Sequence, residues 1–476
     1  MSQKSYDIAA EIFRAYDIRG IVDKTLSSDD AYNIGRAFGT YVRRQTRNKG
    51  HTVRVCMGYD GRISSPELSE ALSKGLLDSG ADVDALGLGP TPMVYFAVKD
   101  RLADAGIMVT GSHNPPTHNG FKMMLQDRSV FGEAVQEIAQ LIRSQDYETG
   151  SGSYKEHDVK PSYIKRLVRD LRPTRPLKIA WDAGNGATAP VLKNFVKELP
   201  GEHILLYDQV DGLFPAHHPD PTVDENLKDL QNVVRKQGCD LGIAFDGDGD
   251  RIGVVDENGN IIRGDTLLAL YAGDVLEKNP GAPVIADVKC SKVLFDEIAR
   301  LGGKPVICAT GHSIVKTRLA ELKAPLAGEL SGHIFFADKY YGFDDALYCA
   351  VRLMNILCEN ARPLSQMAGN LPVMVNTPEI RIEIDETRKF DVVNDLAKYF
   401  KDQFPQAEIN DVDGVRVTYD QGWFLIRASN TQNALSMRVE AQSQESLDDM
   451  LSILRKGLVK MGVQIDESFN SLQKAV

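Results

Sequence analysis

The stretch VRVCMGYDGRISSPELSEALSKGLLDSGADVDALGLG, residues 53–89, sets a β-rich run, an amphipathic stretch and a second β-rich run in direct succession. The alternation continues through AGIMVTG, residues 105–111, and GEAVQEIAQLIRS, residues 132–144. A hydrophobic period that switches between two residues and 3.6 is the signature of βαβ units on a mostly parallel sheet. Residues 1–157 are therefore read as an α/β domain.

A Gly-, Ser- and charge-rich stretch, YETGSGSYKEHD at 147–158, reads as a linker. A second α/β round over 158–262 contains LKIAWDAGNGAT, ILLYDQV and DLGIAFDGDGDRIGVVD. A third, over 263–373, runs through DTLLALYAGDVLEKN, APVIADV, KVLFDEIARLG, KPVICAT and SIVKTRLAEL, and closes on the helix-like FDDALYCAVRLMNILCEN. After Pro372 the order becomes strand EIRIEI, helix KFDVVNDLAKYFKDQ, strands VRVTY, WFLIRAS and ALSMRVEA, and helix SLDDMLSILRKGLVKM. That order predicts an antiparallel α+β unit over 374–476. Four units in a row imply clefts between them, where ligands tend to bind.

Composition narrows the partners. A formal charge of −11 argues against a broad nucleic-acid footprint, which needs clustered Lys and Arg, but leaves room for a few arginines around one phosphate. The cysteines, Cys56, Cys239, Cys290, Cys308, Cys349 and Cys358, are scattered without a CxxC pair and read as buried reduced thiols. The first twenty residues carry charges throughout, and no run approaches the length of a membrane span. A cytoplasmic location without a membrane partner is expected.

Four loops carry the chemistry. TGSHNPPTHNGFK, 110–122, follows the strand-like AGIMV, so it is expected as a loop at the carboxyl end of a parallel strand, with Ser112 on an exposed turn. Gly, Asn and Pro also favour turns for geometric reasons alone. The string lacks the GxSxG pattern of acyl-transfer hydrolases. FDGDGDR, 245–251, places Asp246, Asp248 and Asp250 at alternate positions, with Gly247 and Gly249 letting the backbone curl around a hard cation. Three converging carboxylates repel one another unless a cation sits among them. An EF-hand is excluded, because Arg251 occupies the position that needs Gly and the flanks are strand-like. AGELSGH, 327–333, offers a carboxylate and hydroxyls suited to sugar hydroxyls, although Glu329 could equally be a surface residue and His333 a core imidazole. RASNTQN, 427–433, offers a guanidinium, side-chain polar groups and backbone N–H groups suited to a phosphate dianion, or simply a hairpin turn.

Together, in this order and about a domain apart, the four loops resemble those of the α-D-phosphohexomutase family, most closely its bacterial phosphomannomutase/phosphoglucomutase branch. FRAYDIRG at 13–20, GYDGR at 58–62, GLGPTP at 87–92, HHPDPTVDENL at 217–227 and ATGHS at 309–313 match as well. The resemblance implies three similar mixed α/β domains plus a smaller C-terminal α+β domain around a central cleft. It implies that Ser112 is the phosphorylated residue and that Ser112, Asp246, Asp248 and Asp250 bind Mg²⁺. Arg19, Lys122, Arg251, His312 and His333 are implied to be catalytic. Tyr16 and Lys289 are implied to contact substrate, as are Glu329, Leu330, Ser331, Gly332 and His333 of the sugar loop, where Leu330 replaces the usual Met. Arg427, Ala428, Ser429, Asn430 and Thr431 would hold the non-reacting phosphate.

The implied activity is reversible phosphoryl transfer between the 1- and 6-positions of a hexose phosphate, mannose or glucose, through a hexose 1,6-bisphosphate that also serves as activator. Partners would be small hexose phosphates, and a monomer or small homo-oligomer is expected. Lys122 or the pair His312 and His333 are the candidates for taking the proton of the attacking hydroxyl, a choice the sequence leaves open. The alternatives are a metal-dependent sugar-phosphate phosphatase, a non-catalytic sugar-phosphate or Ca²⁺ binder, and a phosphoglucosamine mutase of the same family. The separate sugar and phosphate loops argue against a simple hydrolase, which needs neither.

Overall fold

Alternate residues of the strand Arg54–Tyr59 enter two different cores: Val55 and Met57 join one, and Cys56 the other. A strand buried on both faces needs helices on both sides of its sheet, the layering that a near-continuous apolar run foretells. The same division recurs twice. Ile179 and Trp181 face one core and Ala180 another, and Val284 and Ala286 face one while Ile285 faces another. In all three cases one face, that of Cys56, of Ile179 and Trp181, and of Val284 and Ala286, belongs to a single shared apolar cluster, so the three sheets close around a common interior. The computed structural model describes residues 6–46, 50–360, 362–429 and 433–465.

The first sheet has six strands in the order Ile18–Ile21, His118–Leu125, Ala105–Val109, Arg54–Tyr59, Asp82–Leu88 and Tyr154–Glu156. Its four-strand parallel run, from Tyr154–Glu156 at the edge, ends where His118–Leu125 pairs antiparallel with Ala105–Val109. The second sheet runs Ile261–Ile262, Ile252–Asp256, Leu241–Phe245, Leu177–Asp182 and Gly201–Leu206, and the third Lys304–Cys308, Pro283–Asp287, Leu326–Gly328 and Ile334–Phe336. Each sheet contains the same device, a parallel strand whose carboxyl end leads through one loop into an antiparallel neighbour. Those loops carry Ser112, the three aspartates and Glu329.

Two details differ from the sequence reading. Lys122 lies on the strand His118–Leu125 instead of in the Ser112 loop, and the apparent linker donates Tyr154–Glu156 to the first sheet. In both places strand pairing overrides a polar local sequence, between two neighbours for His118–Leu125 and at the sheet edge for Tyr154–Glu156.

The fourth unit is an antiparallel sheet covered by the helices Lys389–Gln403 and Gln444–Lys460, which supply Leu396, Phe400, Leu451 and Leu454 to its own core. Its strands Val415–Tyr419 and Gly422–Ala428 dock on the third unit through Arg416 and Trp423. The buried Arg416 guanidinium donates to the carbonyls of Val288, at 2.6 Å, and Cys290, at 2.7 Å, and lies 3.8 Å from the Trp423 ring centroid. Among the described residues no helix is long and apolar enough to cross a membrane. All six cysteines are free and buried.

Truncating Arg416 would leave two carbonyls unpaired under a stacked ring. Arg416→Ala is expected to destabilise the C-terminal unit by about 2–4 kcal/mol. Lys398→Ala, which breaks an exposed pair with Asp395, should cost only about 0–0.5 kcal/mol. Calorimetric unfolding of the two variants checks the difference.

Candidate active site

The serine loop is built on a salt bridge that the sequence does not advertise. Arg62, on the loop after Arg54–Tyr59, is fully buried and pairs with Asp60 at 3.1 Å. Its remaining donors reach the carbonyls of Pro115, at 2.6 Å, His118, at 3.0 Å, Ser112, at 2.7 Å, and Asn114, at 2.7 Å. Asp60 also accepts from the Thr110 hydroxyl and the Gly111 N–H. This scaffold holds Ser112 at φ 50°, a left-handed conformation that costs a non-glycine residue about 1–2 kcal/mol. The turn expected to be exposed is in fact buried, with Ser112 only 1% exposed, because the aspartate loop of the second unit packs directly on it.

That contact depends on a missing side chain. A Cβ at Gly247 would lie 2.3 Å from the Ser112 carbonyl oxygen, so only glycine lets the two loops meet. The meeting puts Ser112 Oγ 3.0 Å from Asp246 Oδ2. Asp246, Asp248 and Asp250 are each wholly buried, and a set of their carboxylate oxygens lies within 4.8 Å of one another.

Around them stand cations from three elements. Lys122 Nζ donates to Asp248, at 2.7 Å, and Asp250, at 2.5 Å. Burial opposes its charge, yet those carboxylates hold the ammonium above its ordinary range. Antiparallel register sets Arg19 opposite Gly120, two residues from Lys122, on the same sheet face. Arg19 Nε bonds Asp17 at 2.8 Å, while its Nη1 is buried without a hydrogen-bond partner among the described residues. Arg251 Nε lies 3.9 Å from Asp246 and donates to His333 Nε2 at 3.0 Å. Burial opposes the charge on Asp248 as well, but Lys122 and Thr91 hold it below the carboxylate range; burial and its two neighbours push Asp246 well above it.

The donor set suits a hard divalent cation. Three carboxylates converge without exposure, and Asp248 Oδ1 and Asp250 Oδ1 have no hydrogen-bond partner among the described residues. Six- to eight-coordinate oxygen shells of hard cations are completed from such atoms, from a serine-borne oxygen and from water.

The third unit closes the other wall. Glu329 is buried and accepts from the Gly311 N–H at 2.5 Å, and burial raises its pKa. Ile252 N–H donates to the Gly332 carbonyl at 3.1 Å, which ties the sugar loop to the strand after the aspartates. Leu330 offers a backbone N–H to Asp287 and packs its partly buried side chain on the shared core; Lys289 Nζ lies 3.7 Å from Asp287, and Ser331 is half-buried. His333 Nδ1 is 2.9 Å from Asp344, its ring stacks on His312 at 5.4 Å, and burial keeps His312 well below its ordinary pKa. Lys316 neutralises Asp344 at 3.0 Å.

From the fourth unit, Arg427 and Ala428 end the strand Gly422–Ala428, and Ser429 N–H closes its hairpin on Ala434. Arg427 pairs with Asp413 at 2.9 Å. Asn430 and Thr431 lie outside the described residues. Tyr16 donates its hydroxyl to the Thr310 carbonyl at 2.8 Å, so the first unit touches the third beside His312. Sequence reasoning gave no role to Arg62, Asp60, Thr91, Asp344, Lys316 or Asp413. Only GYDGR and GLGPTP pointed at the first three, as matching strings.

Gly247→Ala is expected to drive the aspartate loop off Ser112. It should weaken divalent-cation binding at least about tenfold by calorimetry, a change of about 1.4 kcal/mol, while circular dichroism stays native.

Known proteins align with this arrangement over nearly its whole length. Family profiles described as phosphoglucomutase/phosphomannomutase alpha/beta/alpha domains I, II and III match residues 10–149, 161–259 and 263–374. The profile of the C-terminal domain matches 379–456. A phosphomannomutase/phosphoglucomutase of Pseudomonas aeruginosa is 43% identical over 96% of this chain and 97% of its own. A phosphoglucomutase of Neisseria gonorrhoeae is 44% identical over 93% of this chain and 95% of its own. The crystal structure of a phosphoglucomutase/phosphomannomutase family protein from Burkholderia thailandensis superposes with a TM-score of 0.91 at 44% identity, covering 96% of this chain and 99% of that one.

Proposed function

The chain belongs to the phosphoglucomutase/phosphomannomutase family of phosphohexomutases, and on that premise we propose that Ser112 carries the phosphoryl group it moves between the 1- and 6-oxygens of glucose and mannose phosphates. The observation that carries this reading is the 3.0 Å approach of Ser112 Oγ to Asp246 across two units, inside a ring formed by Arg19, Lys122 and Arg251.

Phosphoryl transfer asks little covalent help of a protein beyond in-line positioning and neutralisation of the equatorial oxygens. Asp246, Asp248 and Asp250, with an oxygen on Ser112, would hold Mg²⁺, which when bound supplies positive charge beside the transferring group. Arg19 brings a buried unpaired N–H to the same place, and Lys122 and Arg251 surround it. These groups are fixed before substrate arrives, so they need no reorganisation during reaction.

In the forward direction the bond from phosphorus to Ser112 Oγ breaks and one to the free hydroxyl of a hexose monophosphate forms, while the hydroxyl proton leaves. The resulting 1,6-bisphosphate turns around and returns its other phosphoryl group to Ser112. The same bisphosphate, supplied from solution, would phosphorylate resting enzyme and so act as activator. Glu329 and Ser331 read the O3 and O4 hydroxyls, and Arg427 with Ser429 holds whichever phosphate is not reacting. The proton acceptor lies among Lys122, His312 and His333. The deep burial of Ser112 supports a mutase over a phosphatase, because water must be kept from the phosphoserine.

Intact-protein mass spectrometry should find a phosphorylated fraction that Ser112→Ala lacks, with isomerisation lowered at least about 10³-fold, or about 4 kcal/mol of barrier. Wild-type turnover in that variant overturns the carrier assignment, and phosphate release in place of isomer favours the phosphatase.

Glucose and mannose differ only at C2, which no residue assigned to this sugar loop reads. Their kcat/KM values are expected within about tenfold of each other, less than about 1.4 kcal/mol, since strong rejection requires an unpaired buried polar group. Glucosamine 1-phosphate should be poorer. Glu329→Ala should lower both hexoses and leave their ratio nearly unchanged in a coupled assay.

A further inference from the structure

Two consecutive peptides of the third unit, at Thr310 and Gly311, are where the first, third and fourth units join. The Thr310 carbonyl accepts from Tyr16 of the first unit at 2.8 Å. The Thr310 N–H donates to Asp413 Oδ2 of the fourth unit at 3.1 Å. The next N–H, of Gly311, donates to Glu329 Oε1 at 2.5 Å. Gly311 has φ +132°, and a Cβ there would lie 2.6 Å from the Tyr16 ring, so the chain passes this point only as glycine.

Asp413 is the arm of this junction that reaches the phosphate loop. Its carboxylate takes the Nε and Nη2 edge of Arg427, at 3.2 and 2.9 Å, and Oδ2 is shared between Arg427 and Thr310. The edge carrying Nη1 is the one a dianion would take, with the guanidinium already fixed in plane. Hydrogen bonds on two consecutive N–H groups, joined by the Thr310–Gly311 backbone, therefore link the phosphate-binding guanidinium through Asp413 to the sugar-binding carboxylate.

We propose that Asp413 is a positioning residue that couples the phosphate loop to the sugar loop, so that phosphate held by Arg427 orients Glu329 for the ring hydroxyls. It rests on the reading of Arg427 as the phosphate anchor and of Glu329 as a sugar contact. Asp413 itself touches no substrate. Its effect is a coupling free energy between two subsites, visible only when one ligand fills both.

The substitution that isolates this role is Asp413→Ala. It removes both acceptor oxygens, including the Oδ2 that serves Arg427 and the Thr310 N–H together, so the link breaks while the Arg427 charge remains. In unphosphorylated full-length protein, which cannot turn over, calorimetry gives the Kd of glucose 6-phosphate, and competition gives that of inorganic phosphate. Asp413→Ala should leave inorganic phosphate within twofold of wild type, or tighter, and weaken glucose 6-phosphate at least fivefold. Equal weakening of both ligands, as from a merely disordered loop, overturns the coupling, and so does an unchanged ratio. Arg427→Ala separates the premise from the inference: if it leaves competition by inorganic phosphate untouched, the phosphate anchor itself is misassigned, whatever Asp413→Ala does.

Discussion

Three carboxylates packed together without solvent are the constraint on which the rest of this structure depends. Two charges about 4 Å apart repel by about 4 kcal/mol at the effective dielectric of such sites. Asp246, Asp248 and Asp250 form three such pairs, and each is wholly buried. The second unit cannot neutralise them from its own nearby chain, where Arg251 is the cation at hand. Lys122 and Arg19 arrive from the first unit, and the serine that meets Asp246 arrives with them. Assembly of the site is thus an electrostatic requirement of docking one unit against the next, and a divalent cation of the kind we propose would complete what the two partners begin.

Geometry makes that docking repeatable. Each of the first three sheets sends a parallel strand into a loop and turns back antiparallel, and each lays its opposite face on the same shared core. One interior therefore fixes the relative placement of three loops with different chemistry: the buried Ser112 hydroxyl, an anionic cluster and the buried Glu329 carboxylate. Loops set on strand ends above a common core hold their positions far better than loops on independently moving bodies. The fourth unit stands apart, with its own core and a docking surface built on Arg416 and Trp423.

What the sequence disclosed follows from how locally each feature is encoded. The aspartate loop is complete within seven residues, and its spacing alone implies convergence. The βαβ order and the antiparallel final unit follow from hydrophobic period, and the four loops jointly pointed to the family that the whole-length matches support. The burial of Ser112 was hidden because it arises from a loop some 130 residues away fitting against a missing Cβ. Arg62 acts on carbonyls about fifty residues downstream, and carbonyls carry no sequence signal. Lys122 looked like a loop residue because the string before it is polar, and only strand pairing shows that rigid backbone aims it, whereas Arg427 was already legible at the end of the strand WFLIRAS.

The two ends of the site to which we assign phosphate share a trait that bears on turnover. At the carrier end, Lys122 and Arg251 face the three aspartates; at the distal end, Arg427 faces Asp413. Neither is a bare cluster of positive charge. A mutase must hold a bisphosphate firmly enough to keep it from solution and loosely enough to let it turn, and interactions that bind all states alike deepen the well without lowering the barrier. Cations already engaged by carboxylates meet that need, because each phosphate contact exchanges one partner for another. The preference for the phosphate then reflects geometry and the number of oxygens offered, more than raw charge. That exchange also explains how a chain of formal charge −11 can handle a substrate carrying two dianions. The attraction is local, built from a few oriented N–H groups, and the surrounding anionic surface leaves the ligand free to depart once it moves beyond their reach.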